Sequence, residues 1–212
     1  MNAKISKTAA LVLTGGLAAL SASCGEYVRQ GSSPVQVVIL SLEAASGAQA
    51  DKFGGNLLSD VITNVKRQIN NEQVQVPTIF NDVGRVSMKL LLKDQGAPSV
   101  TNVPSPINEV TMSRYRVTYR RADGRNTPGV DVPFPFDSAV TFTIPEQGNV
   151  VAAFEIVRPI AKEESPLAAL RASAVSISTI AEVSFYGRDQ AGHDVSATGN
   201  IGVDFANFGD PN

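Results

Sequence analysis

The chain has 212 residues, with 18 basic and 20 acidic side chains, one histidine, one cysteine and no tryptophan, for a net charge of −2. That balance argues against general affinity for nucleic acid and against electrostatic adhesion to an acidic bilayer, both of which favour a net positive charge. One cysteine and one histidine exclude an internal disulfide framework and the common zinc ligand sets.

Lys4 and Lys7 precede an apolar stretch over residues 8–22, and the small residues Ser21-Ala22-Ser23 lead into Cys24. Basic, apolar, then small is the order of an export signal. The run is short of the roughly 20 residues a spanning helix needs, and Gly15-Gly16 weakens a helix in its middle. With Cys24 at its end, the segment resembles a bacterial lipoprotein signal, although Ser21 stands where an aliphatic residue is commoner. The resemblance implies that residues 1–23 are removed and that Cys24 is lipidated and becomes the new N-terminus. It also implies secretory export and anchorage to a bacterial membrane, the outer one in a two-membrane cell. Acyl chains contribute about 0.8 kcal/mol per buried CH₂, so two or three hold a protein where one barely would. The signal takes two lysines and no acid with it, so the mature part is more acidic than the whole chain.

The polar residues 24–33 read as a tether, and 34–208 as one domain with a tail over 209–212. Val35-Gln36-Val37-Val38-Ile39-Leu40, bounded by Pro34 and Ala45-Ser46-Gly47, predicts a strand. Over 56–71, Leu57, Val61, Val65 and Ile69 are spaced for a helix, while the Val, Ile and Thr content fits a strand equally well. Pro77 and Gly84 bracket another extended piece. In 85–93, Val86, Met88, Leu90 and Leu92 alternate with Arg85, Ser87, Lys89, Leu91 and Lys93, which apart from Leu91 is the pattern of a half-buried strand. Tyr115, Val117 and Tyr119 alternate with Arg114, Arg116, Thr118 and Arg120 in the same way, and Val140, Phe142 and Ile144 with threonines and Ala139. Val150, Ala152, Phe154 and Ile156 follow Glu146-Gln147-Gly148-Asn149, which reads as a hairpin turn. Ser165-Pro166 followed by Leu-Ala-Ala-Leu predicts a short helix over 165–172, with serine as cap and proline at the first position. Ile177, Ala181, Val183 and Phe185 then share one face of a strand, residues 188–193 turn, and Val195, Ala197, Ile201, Val203 and Phe205 return. Seven or so strands with Gly- and Asp-rich turns predict an all-β sandwich.

The last hairpin, Ser178 to Gly187 and on through Asp194-Val195-Ser196, resembles the closing F and G strands of immunoglobulin-like and fibronectin type III-like modules. It is also similar to stretches of uncharacterised bacterial lipoproteins. The resemblance implies an immunoglobulin-like antiparallel β-sandwich without the cysteine pair and tryptophan of antibody domains. It carries no site residues, because such folds host many functions.

No reactive constellation emerges. His193 falls in the predicted turn, where an exposed ring lacks the orienting partner catalysis requires, and no G-x-S-x-G occurs. Asp189, Asp194, Asn81-Asp82 and Asp204 could offer oxygen to calcium, but without a D-x-D-x-D-G spacing they read as turn-forming residues. Gly54-Gly55 lacks the rest of a phosphate loop, and Glu163-Glu164 reads as surface. Neither metal nor cofactor is expected.

Arg114, Arg116, Arg120, Arg121 and Arg125 crowd together with Asp123 as the only acid among them. On a strand, Arg114, Arg116 and Arg120 share a face, with Tyr115 and Tyr119 opposite. They read either as an anion-recognising stripe or as a solvated face paired with acids such as Glu182 or Asp204. Pro133-Phe134-Pro135-Phe136 reads as an edge or loop that packs aromatics against the sandwich end. The expectation is a lipid-anchored envelope protein with a non-catalytic binding or structural domain. Its partners would be the membrane, through the lipid, and an envelope protein or glycan. The alternatives are an envelope hydrolase acting on polysaccharide or peptide through carboxylates, and an outer-membrane assembly or cargo-binding factor.

Overall fold

Period-two alternation of apolar and polar side chains gives each strand one face to bury, and two sheets satisfy one another by stacking those faces. The computed structural model describes residues 33–209. The signal, Cys24, most of the expected tether and the last three residues lie outside the described residues.

In chain order the strands are β1 (Val35–Ala45), β2 (Asn56–Asp60), β3 (Thr63–Ile69), β4 (Glu72–Thr78), β5 (Asp82–Leu92), β6 (Gly96–Ala97) and β7 (Val100–Thr101). They continue with β8 (Val110–Arg120), β9 (Phe136–Ile144), β10 (Val150–Val157), β11 (Ile177–Asp189) and β12 (Asp194–Ala206). One sheet runs β1-β5-β10, the other β2-β12-β11-β8-β9, and β3-β4 and β6-β7 are separate hairpins. The fold is an all-β sandwich. All pairs are antiparallel except β12 with β2, which run parallel. The 56–71 segment is therefore extended, as β2 and β3.

The core lies between the sheets. Val86, Met88 and Leu90 of β5 and Phe154 and Ile156 of β10 meet Tyr115, Val117 and Tyr119 of β8, Val183 and Phe185 of β11, and Val203 and Phe205 of β12. Each such side chain contributes about 1.5–3 kcal/mol on burial. Phe154 sits edge-on to Tyr115 and Phe185, both at 5.2 Å between centroids. Its ring rests on Gly84, where a Cβ would lie 2.3 Å from Cζ. Two phenols sew the sheets together. Tyr115 Oη donates to the Glu155 carbonyl (3.0 Å) and accepts from the Glu155 N–H (3.1 Å), while Tyr119 Oη donates to the Ile156 carbonyl. Strand β10 is an edge strand, so its outer backbone groups are free to take these partners.

Three sequence expectations change. Residues 146–149 do not close a hairpin: β9 pairs with β8, β10 pairs with β5, and the chain crosses between sheets there. The short helix expected over 165–172 forms as a 3₁₀ helix, Leu167–Ala172, with Pro166 and not Ser165 at its N-cap position. The α-helical turn, α1 (Pro159–Glu163), comes earlier, with Pro159 in the first turn. Finally, Ser33 is already buried in the fold and not part of a free tether.

Candidate functional site

Strands β9, β8, β11 and β12 present their polar faces side by side on the outside of the larger sheet. Cross-strand hydroxyl pairs line it, Thr111 with Thr143 (3.0 Å) and Ser184 with Thr198 (2.8 Å). Arg114, Arg116 and Arg120 all point to this open face, with Tyr115 and Tyr119 buried opposite, as the alternation requires. Arg116 lies opposite Asp137 in register, and its guanidinium is 2.7 Å from that carboxylate. Arg114 reaches the other oxygen of Asp137 at 3.7 Å. Arg120 pairs with Glu182 at 3.4 Å. The stripe therefore sets three guanidiniums against two carboxylates. Asp204 takes the Asn56 amide instead (2.9 Å). Arg121 and Arg125 leave the stripe altogether and share Asp123 in the following loop. Their hydrogen bonds hold the Asp123 carboxyl well below the usual range.

A bulge shapes this face. The β8–β9 and β8–β11 registers both slip at Ser113, so Ser113 and Arg114 point outward together. Opposite the slip stands Gly187, where a Cβ would lie 2.2 Å from the Thr111 carbonyl oxygen. The Arg114 guanidinium then lies over the Tyr186 ring, 4.1 Å from its centroid. Around this pair runs a shallow groove of about 610 Å³ lined by Ser113, Arg114, Tyr186, Arg188, Asp194 and Ser196, among others. Arg188 is held by Asp194 at 2.7 Å. Arg114 and Arg188 keep 58% and 65% of their side-chain surface in water, so both can meet a ligand. An anion entering here would meet two guanidiniums, an aromatic ring and a row of hydroxyls. A second concavity, of about 370 Å³, lies beside β2. Its carboxylate, Asp60, is bound to the Thr63 hydroxyl and the Phe208 N–H, which makes it part of the scaffold.

The structure separates the other residues singled out by sequence. Phe136 is buried edge-on to Tyr115, whereas Phe134 is 48% exposed and lies over Gly129. Glu163 and Glu164 are exposed beside α1. His193 is not the bare turn residue its position suggested. Its Nδ1 is 2.8 Å from Asp189 Oδ2, and its backbone N–H donates to Oδ1 at 2.8 Å. The carboxylate is 1% exposed and the ring 33%. Burial alone would raise the Asp189 carboxyl, but the His193 backbone, the His193 ring and the Ser33 hydroxyl together hold it below its ordinary value. Among the described residues no hydroxyl is hydrogen-bonded to that ring, and the contact with Asp189 orients the imidazole. Asp189, Asp194, Asp82 and Asp204 thus have separate partners, and no cluster of three metal-binding side chains occurs among the described residues.

Sequence reasoning missed the partner of Asp82. The carboxyl is completely buried against Lys162 of α1, with Nζ 3.0 Å from Oδ1 and 2.9 Å from Oδ2. Oδ1 also accepts the Gly47 N–H (2.8 Å), and Oδ2 the Ser59 hydroxyl (2.6 Å). Desolvation pushes the Asp82 carboxyl above its ordinary value, against the lowering effects of Lys162, Ser59 and Gly47. Lys162 stands in the run Ala161-Lys162-Glu163-Glu164-Ser165, which reads as solvated surface. Only the packing of α1 turns that lysine inward.

No family model, curated protein or solved structure matches this chain. The open face must therefore be interpreted from its own chemistry.

Proposed function

We propose that the chain is an exported envelope protein, lipidated at Cys24, whose sandwich is a non-catalytic binding module. Its ligand is an acidic group on an envelope protein or glycan. The observation that carries this reading is the convergence of Arg114 and Arg116 on the single carboxylate of Asp137, beside the Arg114–Tyr186 stack. One guanidinium charge is left over there, and a ligand carboxylate or phosphate can share it bidentately. The groove has one carboxylate in its lining, Asp194, already bound to Arg188. A glycosidase would need two acting across the scissile bond.

Cross-linking on native membranes followed by pull-down tests the module, with the Arg114/Arg116/Arg120 triple alanine variant as comparison. The wild type is expected to capture a reproducible partner that the variant loses, and equal capture by both would refute the site. Anchorage is tested by radiolabelled acyl incorporation, expected in the wild type and absent from Cys24→Ser. Persistent labelling of that variant would refute it.

A further inference from the structure

Lys162 and Asp82 lie away from the open face, and the binding reading makes no use of them. They are 80 positions apart in sequence and wholly shut off from water. We propose that the Lys162 amine and the Asp82 side chain condense into an intramolecular amide that staples α1 to the start of β5.

Nucleophile and electrophile are already in contact, with Nζ 3.0 and 2.9 Å from the two carboxyl oxygens. The two oxygens have different second partners. Oδ1 receives the backbone N–H of Gly47, while Oδ2 bonds the Ser59 hydroxyl. That asymmetry marks Oδ1 as the oxygen retained in the amide and Oδ2 as the one that leaves. Condensation requires a proton to pass from the ammonium to the carboxylate, giving amine and carboxylic acid, and burial of Asp82 favours its neutral form. The Nζ lone pair attacks Cγ, and negative charge develops on Oδ1, where the fixed Gly47 N–H donates. The Cγ–Oδ2 bond breaks as the proton leaving Nζ passes directly to the Oδ2 hydroxyl, 2.9 Å away, while Ser59 stays hydrogen-bonded to that oxygen. The Nζ–Cγ bond forms, one water leaves, and no oxidant, reductant or cofactor is consumed. Fixed proximity supplies the advantage that free amine and acid lack, and burial shields the product from hydrolysis. A chain whose sole cysteine is Cys24 has no internal disulfide with which to brace this domain, and an amide here would restrict the unfolded chain in the same way.

The test is a tryptic map of the full chain, isolated from membranes and denatured before digestion. The expected product joins residues 68–85 to residues 126–171, with a mass one water below the sum of the two peptides and with cleavage after Lys162 blocked. Recovery of 68–85, 126–162 and 163–171 as separate peptides, with no joined species, would overturn the proposal. In Lys162→Arg the joined peptide should vanish. Its survival in that variant would overturn the assignment, and the wild-type map decides alone if the variant does not fold.

Discussion

The Arg114 guanidinium and the Tyr186 ring are direct register partners on β8 and β11, stacked 4.1 Å apart on the open face. Exposed cation–π pairs contribute only about 0.5–1 kcal/mol, so the arrangement is weak as a brace and well suited to contact. Tyr186→Ala and Arg114→Ala should each lower stability by about 1 kcal/mol or less, while both weaken capture of the acidic partner. Urea unfolding and pull-down should thus diverge. A large stability loss with unchanged capture would assign the pair to the scaffold.

Gly187 faces the backbone of β8 where the bulge brings it close, and an added Cβ would lie 2.8 Å from Met112 Cα as well as against the Thr111 carbonyl. Backbone atoms in a paired strand cannot yield cheaply. Gly187→Ala should cost about 1–3 kcal/mol as overpacking. Because the groove forms at this slip, the variant should also bind less well. A stability change within about 0.5 kcal/mol would show that β8 can shift.

The Asp189–His193 pair predicts a pH dependence. Asp189 titrates lower in the folded protein than in the unfolded chain, so its stabilising contribution is fully present above the unfolded value near 4. That contribution is lost as pH falls through the folded value. The stability gap between wild type and Asp189→Asn should be widest near pH 7 and narrow toward about pH 3. Urea midpoints across that range measure it, and a constant gap would contradict it.

Lys162→Met strands a buried carboxyl and removes its partner. The single variant loses the amide link and leaves the Asp82 carboxyl buried without a partner, the latter typically costing about 3–5 kcal/mol, whereas replacing both residues with apolar ones removes the stranded group. The double variant Asp82→Leu/Lys162→Met should therefore be more stable than Lys162→Met alone. Equal or lower stability of the double variant would mean that Ser59 and Gly47, left without an acceptor, dominate the site.

The strands of the core were legible because their signal is local. In β5, β8, β11 and β12 the side chains alternate in and out along a few consecutive residues, and burial follows that alternation closely. The outward direction of Arg114, Arg116 and Arg120 follows from the same parity. Residues 146–149 misled because a Gly-containing turn looks alike whether the flanking strands pair or part. Gly148 has φ +80° here, as it would in a hairpin. Ser165-Pro166 does precede a helical segment, Leu167–Ala172, but Pro166 takes the cap position, and Pro159 starts a separate helical turn seven residues earlier.

From the sequence alone one could determine the class of fold and the buried faces of β5, β8, β11 and β12. These depend on neighbours along the chain. Tertiary structure decided which strands share a sheet, which acids meet the arginines, and that His193 is oriented by Asp189. It also decided that a lysine flanked by glutamates is sealed inside against Asp82. Those outcomes depend on groups far apart in sequence, Asp82 and Lys162 by 80 positions, and desolvation is a property of the packed whole that no local pattern encodes.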